Sequence, residues 1–211
     1  MYKTIILTLV IIFSEYKTGN EKQFEMVNTN YYPMFIESYK HVRKWEGNYS
    51  YLQDDRGGET YAGITRTFNG DWEGWEVVDE YKGDSSVKWN QKIDNVEIHV
   101  MQYYYSVWLK DGYHKINDPI VRDYLFDYRN TGLVAYKHVK EILIDMGFTN
   151  LNSRPVMDES TINAINKSNP MIFILRLQEI RRDYYERVAD TKPELRKYLK
   201  GWLNRANDII V

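Results

Sequence analysis

The sequence predicts a mainly α-helical protein with a small loop or hairpin region set among the helices. Apolar residues recur at helical spacing over most of the chain beyond residue 30, and recognisable helix starts and stops punctuate those stretches. No strand-like alternation runs far enough to build a large sheet. The 211 residues suffice for one domain of ordinary size, or for a main domain carrying a small second one.

Each element follows from local signals. Met1-Tyr2-Lys3 precedes an apolar run from Ile5 to Phe13, broken only by Thr8, which has the form of a secretory signal or uncleaved anchor. The run is short for a transmembrane helix, so no integral span is expected, and residues 1–30 are read as this signal or anchor plus a polar linker. A first helix is expected from Tyr31, through Phe35, Tyr39 and Val42, to a stop near Glu46 set by Gly47 and Asn48. Residues 47–65, with alternating Tyr and polar positions and a double glycine, predict a loop or small hairpin. Trp72, Trp75 and Trp89 lie in a Gly- and Asp-rich region of undefined structure, as loop anchors or as a surface for stacking sugars.

Further helices are expected over 94–109, from Pro119 behind an Asp118 cap, and through Ala135 to Met146 with Gly147 as the stop. Others begin near Asp158, at Asn169-Pro170, and at Pro193. His138 reads as a surface or capping residue of its helix.

Composition removes several function classes. Twenty-eight basic against thirty acidic residues leave a net charge of −2 and no basic patch, so no nucleic-acid partner is expected. With no cysteine there is neither a disulfide framework nor a thiolate nucleophile, and the four histidines (His41, His99, His114, His138) lack metal-ligand spacing. No phosphate-binding loop, dinucleotide fingerprint or nucleophile elbow is present, so neither metal nor cofactor is expected.

Chemistry is concentrated in one stretch, 44–65. Five groups, Glu46, Asp54, Asp55, Glu59 and Thr60, fall within fifteen residues among glycines that let a loop fold tightly. Two carboxyl groups in different environments are the general means of cleaving a glycosidic bond, one protonating the leaving oxygen and the other acting as base or nucleophile. Glu46 follows Trp45 at a helix end, where an apolar neighbour and the negative end of the helix dipole both suit a general acid. Asp55 lies in a glycine-bounded loop that can face it across a cleft, and Thr60 can hold a water. Asp54 and Glu59 read as solvated turn residues.

The order and spacing resemble the glycoside hydrolase family 108 N-acetylmuramidases, bacterial and phage cell-wall lysozymes also known as secretion activators. Glu46, Gly47, Tyr49, Asp55, Gly57, Gly58, Thr60, Gly63, Ile64 and Thr65 fit the family signature without a gap, with Asn48 in place of its second glycine. Phe126-Asp127, Asn130 and Gly132 resemble a second motif, and residues 177–205, including Arg181, Tyr184, Tyr185, Gly201, Trp202 and Arg205, resemble the end of a peptidoglycan-binding segment.

The resemblance implies a lysozyme-like helical bundle with a catalytic domain over 31–115 and a peptidoglycan-binding-like segment over 116–211. It implies cleavage of the bond between N-acetylmuramic acid and N-acetylglucosamine, with Glu46 as general acid and Asp55 and Thr60 as the water-handling pair. Tyr49, Gly57, Gly58 and Thr65 are the expected substrate contacts, peptidoglycan glycan the expected partner, a monomer the expected state, and the cell envelope or exterior the expected location. The alternative is a non-catalytic wall-binding or secretion-accessory protein that keeps the same shape.

Overall fold

The computed structural model describes residues 31–51, 57–83 and 86–208. The apolar run proposed as a signal, and the loop residues Asp54 and Asp55, lie outside the described residues. The first helix, α1 (Tyr32–Trp45), begins with Pro33 in its first turn, buries Phe35, Tyr39 and Val42 on one face, and ends where Glu46 turns to extended backbone. The chain then forms a three-stranded antiparallel sheet of β1 (Tyr49–Tyr51), β2 (Glu59–Tyr61) and β3 (Ile64–Thr65).

Register divides the sheet into two faces. Tyr49 lies opposite Tyr61, and Tyr61 opposite Ile64, all three buried. Thr60 lies opposite both Ser50 and Thr65, a row of three hydroxyls on the other, partly exposed face. The β2–β3 turn consists of Ala62 and Gly63, with φ of 50° and 78°. Two successive positive φ values are what a two-residue hairpin needs to match strand twist.

Helices supply the rest: α2 (Gly74–Lys82), α3 (Val96–Lys110), α4 (Pro119–Tyr128), α5 (Leu133–Asp145), α6 (Glu159–Lys167), α7 (Pro170–Thr191) and α8 (Leu199–Ala206). Side-chain caps form at three of the expected helix starts. The side chains of Asp118, Asp158 and Asn169 each accept a hydrogen bond from the backbone N–H three residues on. Helix α4 is the central one. Every residue from Val121 to Tyr128 is buried, and α1, α7 and the turn after α3 pack against it. Aromatic rings fill the space between, with Phe35 meeting Tyr105 at 4.8 Å and Tyr113 meeting Phe126 at 5.1 Å, both edge-on. The described residues from Tyr31 onward form one compact unit, and no helix among them is long and apolar enough to cross a membrane.

Three expectations need correcting or completing. His138 is buried and its Nδ1 lies 2.5 Å from the Tyr128 hydroxyl, because its position on α5 faces α4 and α7 rather than solvent. Glu59 is also buried. It accepts from the Tyr49 hydroxyl at 2.7 Å and from Lys82 at 3.3 Å, and Arg66 Nε lies 2.7 Å from its second oxygen. A strand side chain pointing to the packed face of the sheet can hold its charge there only with such partners. The tryptophan region contains a helix, α2, anchored by buried Trp72 and Trp75, which meet edge to face at 5.0 Å, whereas Trp89 is exposed.

Candidate active site

Glu46 is set in place from both sides of the turn that follows α1. Arg43, one helical turn earlier, pairs with Glu97 of α3 and donates to the carbonyl oxygens of Glu46 and Gly47 and to the side-chain oxygen of Asn48. Asn48 in turn donates two hydrogen bonds to Asn90, from its backbone N–H to the side-chain oxygen and from its Nδ2 to the backbone carbonyl. The asparagine at the position of the family's glycine has no left-handed backbone to accommodate, and its side chain helps tie the turn down.

The carboxyl group of Glu46 is mostly enclosed, with 15% of the side chain exposed. Its Oε1 accepts from Arg205 Nη2 at 2.8 Å and from Asn130 Nδ2 at 3.2 Å. Its Oε2 lies against Gly63. A β-carbon there would come within 2.7 Å of that oxygen and 2.9 Å of the Tyr104 hydroxyl, so the hairpin approaches the acid as closely as backbone can. Burial, with the Glu46 carboxyl beside it, pushes the Tyr104 hydroxyl well up, so it keeps its proton and donates a hydrogen bond to the Ala62 carbonyl oxygen at 2.8 Å. The sequence placed Glu46 against an apolar wall. A guanidinium faces it as well.

Behind Arg205 stands a buried charge network. Arg205 donates twice to Asp127 Oδ1, at 2.9 and 2.7 Å, and Arg181 donates to Asp127 Oδ2 at 2.8 Å. Asp127 is fully buried, and so is Arg181, whose guanidinium lies over the rings of Tyr124, Tyr128 and Tyr185 at 4.7 to 5.7 Å. Burial opposes the Arg205 charge, but Asp127 and Glu46 outweigh it and hold the guanidinium protonated beyond the ordinary arginine value. A second tether lies one turn away. Asp208 accepts from Trp45 Nε1 at 2.7 Å and from Lys44 Nζ at 2.8 Å. The three consecutive residues Lys44, Trp45 and Glu46 are therefore each held by the C-terminal segment.

The remaining expected site residues are placed as follows. Thr60 lies on β2 between Ser50 and Thr65, with its hydroxyl donating to the Gly58 carbonyl at 3.2 Å. Thr65 shares that face. Gly58 has a φ of 65° and Gly57 is buried beside it, so both shape the entry to β2. Tyr49 is buried behind the sheet, its hydroxyl on Glu59. Asp55 lies outside the described residues. Among the described residues no cluster of His, Asp or Glu has the geometry to hold a metal ion. Next to Glu46 a cleft of about 300 Å³ opens between Gly63, Tyr103, Tyr104, Asn130, Leu133 and Tyr136. Sequence reading marked Asn130, Asp127 and Arg205 only as parts of motifs, since partners 84 and 159 residues from Glu46 leave no local signal.

Comparison with known proteins bears on the fold and the family segments. Residues 39–132 match the family model described as Glycosyl hydrolase 108, and residues 135–207 match that of the Predicted Peptidoglycan domain. The first match contains Glu46, Asp127 and Asn130, and the second contains Arg205, so the carboxyl group and its cation come from different family segments. Among solved structures, SagA of Brucella abortus has the same fold, with a TM-score of 0.53 and 17% identity over 83% of this chain and 94% of that one. No curated protein matches.

Proposed function

Because the chain carries a glycosyl hydrolase 108 domain followed by a peptidoglycan domain, and is thereby a peptidoglycan hydrolase of the muramidase type, we propose that Glu46 is its general acid. The observation that carries this is the division of labour between the two Glu46 oxygens. Oε1 is engaged by Arg205 and Asn130, and we assign the proton to Oε2, which lies against Gly63, a residue that also lines the adjoining cleft. As that proton passes to the glycosidic oxygen, negative charge grows on a carboxylate whose cationic and amide donors are already in position. Such preorganised donors stabilise the transition state without reorganising at the moment of reaction.

Asp55 is proposed as the base or water-positioning group, with Thr60 of the hydroxyl row assisting. An acid-to-Asp55 separation of about 6.5–9.5 Å would give inversion at the anomeric carbon, and about 5–5.5 Å would give retention. Thr65 and the backbone at Gly57 and Gly58 are proposed to line the glycan path beside Thr60, with Tyr49 supporting the strand from behind.

Peptidoglycan lies outside the cytoplasmic membrane, so the chain acts there, and the apolar run 5–13 is proposed as its export signal or anchor. The test is loss of turbidity of purified cell walls with wild type and with Glu46→Gln. Clearing by wild type alone supports the assignment, and equal clearing by both sinks it.

A further inference from the structure

The cleft beside Glu46 holds a cation that the proposed chemistry does not use. Arg129 opens the short 3-10 turn Arg129–Thr131 at the end of α4, next to Asn130, the donor to Glu46. Its Nε donates to Asp111 Oδ2 at 3.2 Å, and the same oxygen accepts the Tyr136 hydroxyl at 2.5 Å. Neither Nη1 nor Nη2 of Arg129 has an acceptor among the described residues, and the side chain is 26% exposed. Arg129 lines the 300 Å³ cleft together with Tyr103, Tyr136 and its partner Asp111, and the cleft shares Gly63, Tyr104 and Asn130 with the surroundings of Glu46. Asp111 thus fixes the arginine by one edge and leaves the planar two-donor edge open.

Two parallel N–H donors on a fixed plane match a carboxylate. Of the two sugars in the glycan, only the muramyl residue carries a carboxyl-bearing substituent, the lactyl ether and any peptide built on it. We propose that Arg129 binds a carboxylate carried by the lactyl substituent of a muramyl residue, and thereby helps set which sugar lies next to Glu46. This rests on the muramidase reading above. Tyr103 and Tyr136 form the walls that the substituent enters between, and Gly132, with a φ of 81° and open space around it, keeps the mouth clear. The carboxylate has two sources: the lactyl acid itself in strands stripped of peptide, and the peptide carboxylates in intact wall.

The experiment uses the full chain on intact peptidoglycan and on amidase-stripped glycan strands, each before and after carbodiimide amidation of its carboxylates. Release of reducing ends gives kcat and KM. Wild type is expected to lose about tenfold in kcat/KM upon amidation, mostly through KM, because a charge-assisted contact to an ionised group is lost. The strand type that shows the loss identifies the source. Arg129→Gln is expected to show the same KM on native substrate as wild type on amidated substrate, with no further response to amidation, and Arg129→Lys is expected to fall between. Wild-type kcat/KM unchanged by amidation on both strand types overturns the inference, as does a Gln variant that remains fully sensitive to amidation. The wild-type comparison does not depend on how any variant folds. Cosedimentation of the Glu46→Gln chain with the same strands reads the preference without turnover. If wild type cleaves nothing, the muramidase reading fails, while equal binding to native and amidated strands separately refutes the role of Arg129.

Discussion

Replacing Arg205 with alanine separates the contribution of the C-terminal segment to the active site from its contribution to the fold. The guanidinium makes three contacts shorter than 3 Å, two to Asp127 and one to Glu46, with side-chain exposures of 16%, 0% and 15% for Arg205, Asp127 and Glu46. At such burial, solvent screening is slight. Removal leaves one oxygen of a fully buried carboxylate without a donor, while Arg181 still holds the other. Breaking a buried pair outright costs about 3–5 kcal/mol, and the surviving Arg181 contact places this case near 3 kcal/mol. For a protein of this size that corresponds to a fall in Tm of about 6–12 °C. Activity should fall as well, because the carboxylate left by Glu46 loses its cation, and one charge-assisted bond accounts for about 10- to 100-fold in kcat. The assays are thermal unfolding by circular dichroism and reducing-end release well below both melting temperatures. Arg205→Lys keeps the charge but reaches one carboxylate instead of two, and should fall between. An Arg205→Ala protein that melts within 1 °C of wild type and keeps its kcat would refute the reasoning.

Three further outcomes follow from the geometry. Gly63→Ala places a β-carbon 2.7 Å from Glu46 Oε2 at a φ of 78°, so kcat should drop by about tenfold or more and stability by about 1–2 kcal/mol, read by the same two assays. Asn130→Ala removes the longer and more exposed of the two Oε1 contacts, so its loss in kcat should be several-fold, smaller than that of Arg205→Ala, with Tm nearly unchanged. Asp158 gives a pH signature. Burial opposes its charge, but the Thr161 hydroxyl and N–H, Ser160 and Lys140 outweigh it and bring its pKa to about 2. The unfolded value of about 3.9 is higher, so the unfolded chain takes up the proton first as pH falls. The stabilisation is complete above about pH 4 and disappears as pH drops through about 2. Asp158→Ala should cost about 1 kcal/mol at pH 7 as a lost cap, and denaturant titrations should show a shallower stability decline over that acidic window.

Most of the helical framework was legible because its signals are local. Asp118, Asp158 and Asn169 announce helix starts through bonds three residues long, and Gly147 ends α5 through its left-handed φ of 94°. Helix α2 gave no such sign, since Glu73 at its start makes no side-chain cap and the helix depends on Trp72 and Trp75 packing inward. Glu59 looked like a turn residue because its partners, Lys82 and Tyr49, arrive from different elements. In the site, the position of Glu46 at the end of α1 was readable from Trp45, Gly47 and the spacing that follows. The partner that matters most to its charge was not. Arg205 meets Glu46 across 159 residues, through a network in which Asp127 and Arg181 compensate one another. Such pairings become visible only once α4, α7 and α8 have packed together. His138 shows the same limit on a smaller scale, as its burial is decided by α7, not by its own helix.

The most direct measurement is the chemical identity of the new chain ends. Purified peptidoglycan digested with wild type, reduced with borohydride and analysed by mass spectrometry should yield products ending in muramitol, with none from Glu46→Gln under the same conditions. Products ending in reduced N-acetylglucosamine, or muramitol ends released equally by the Gln variant, would contradict the assignment of Glu46 as the acid of a muramidase.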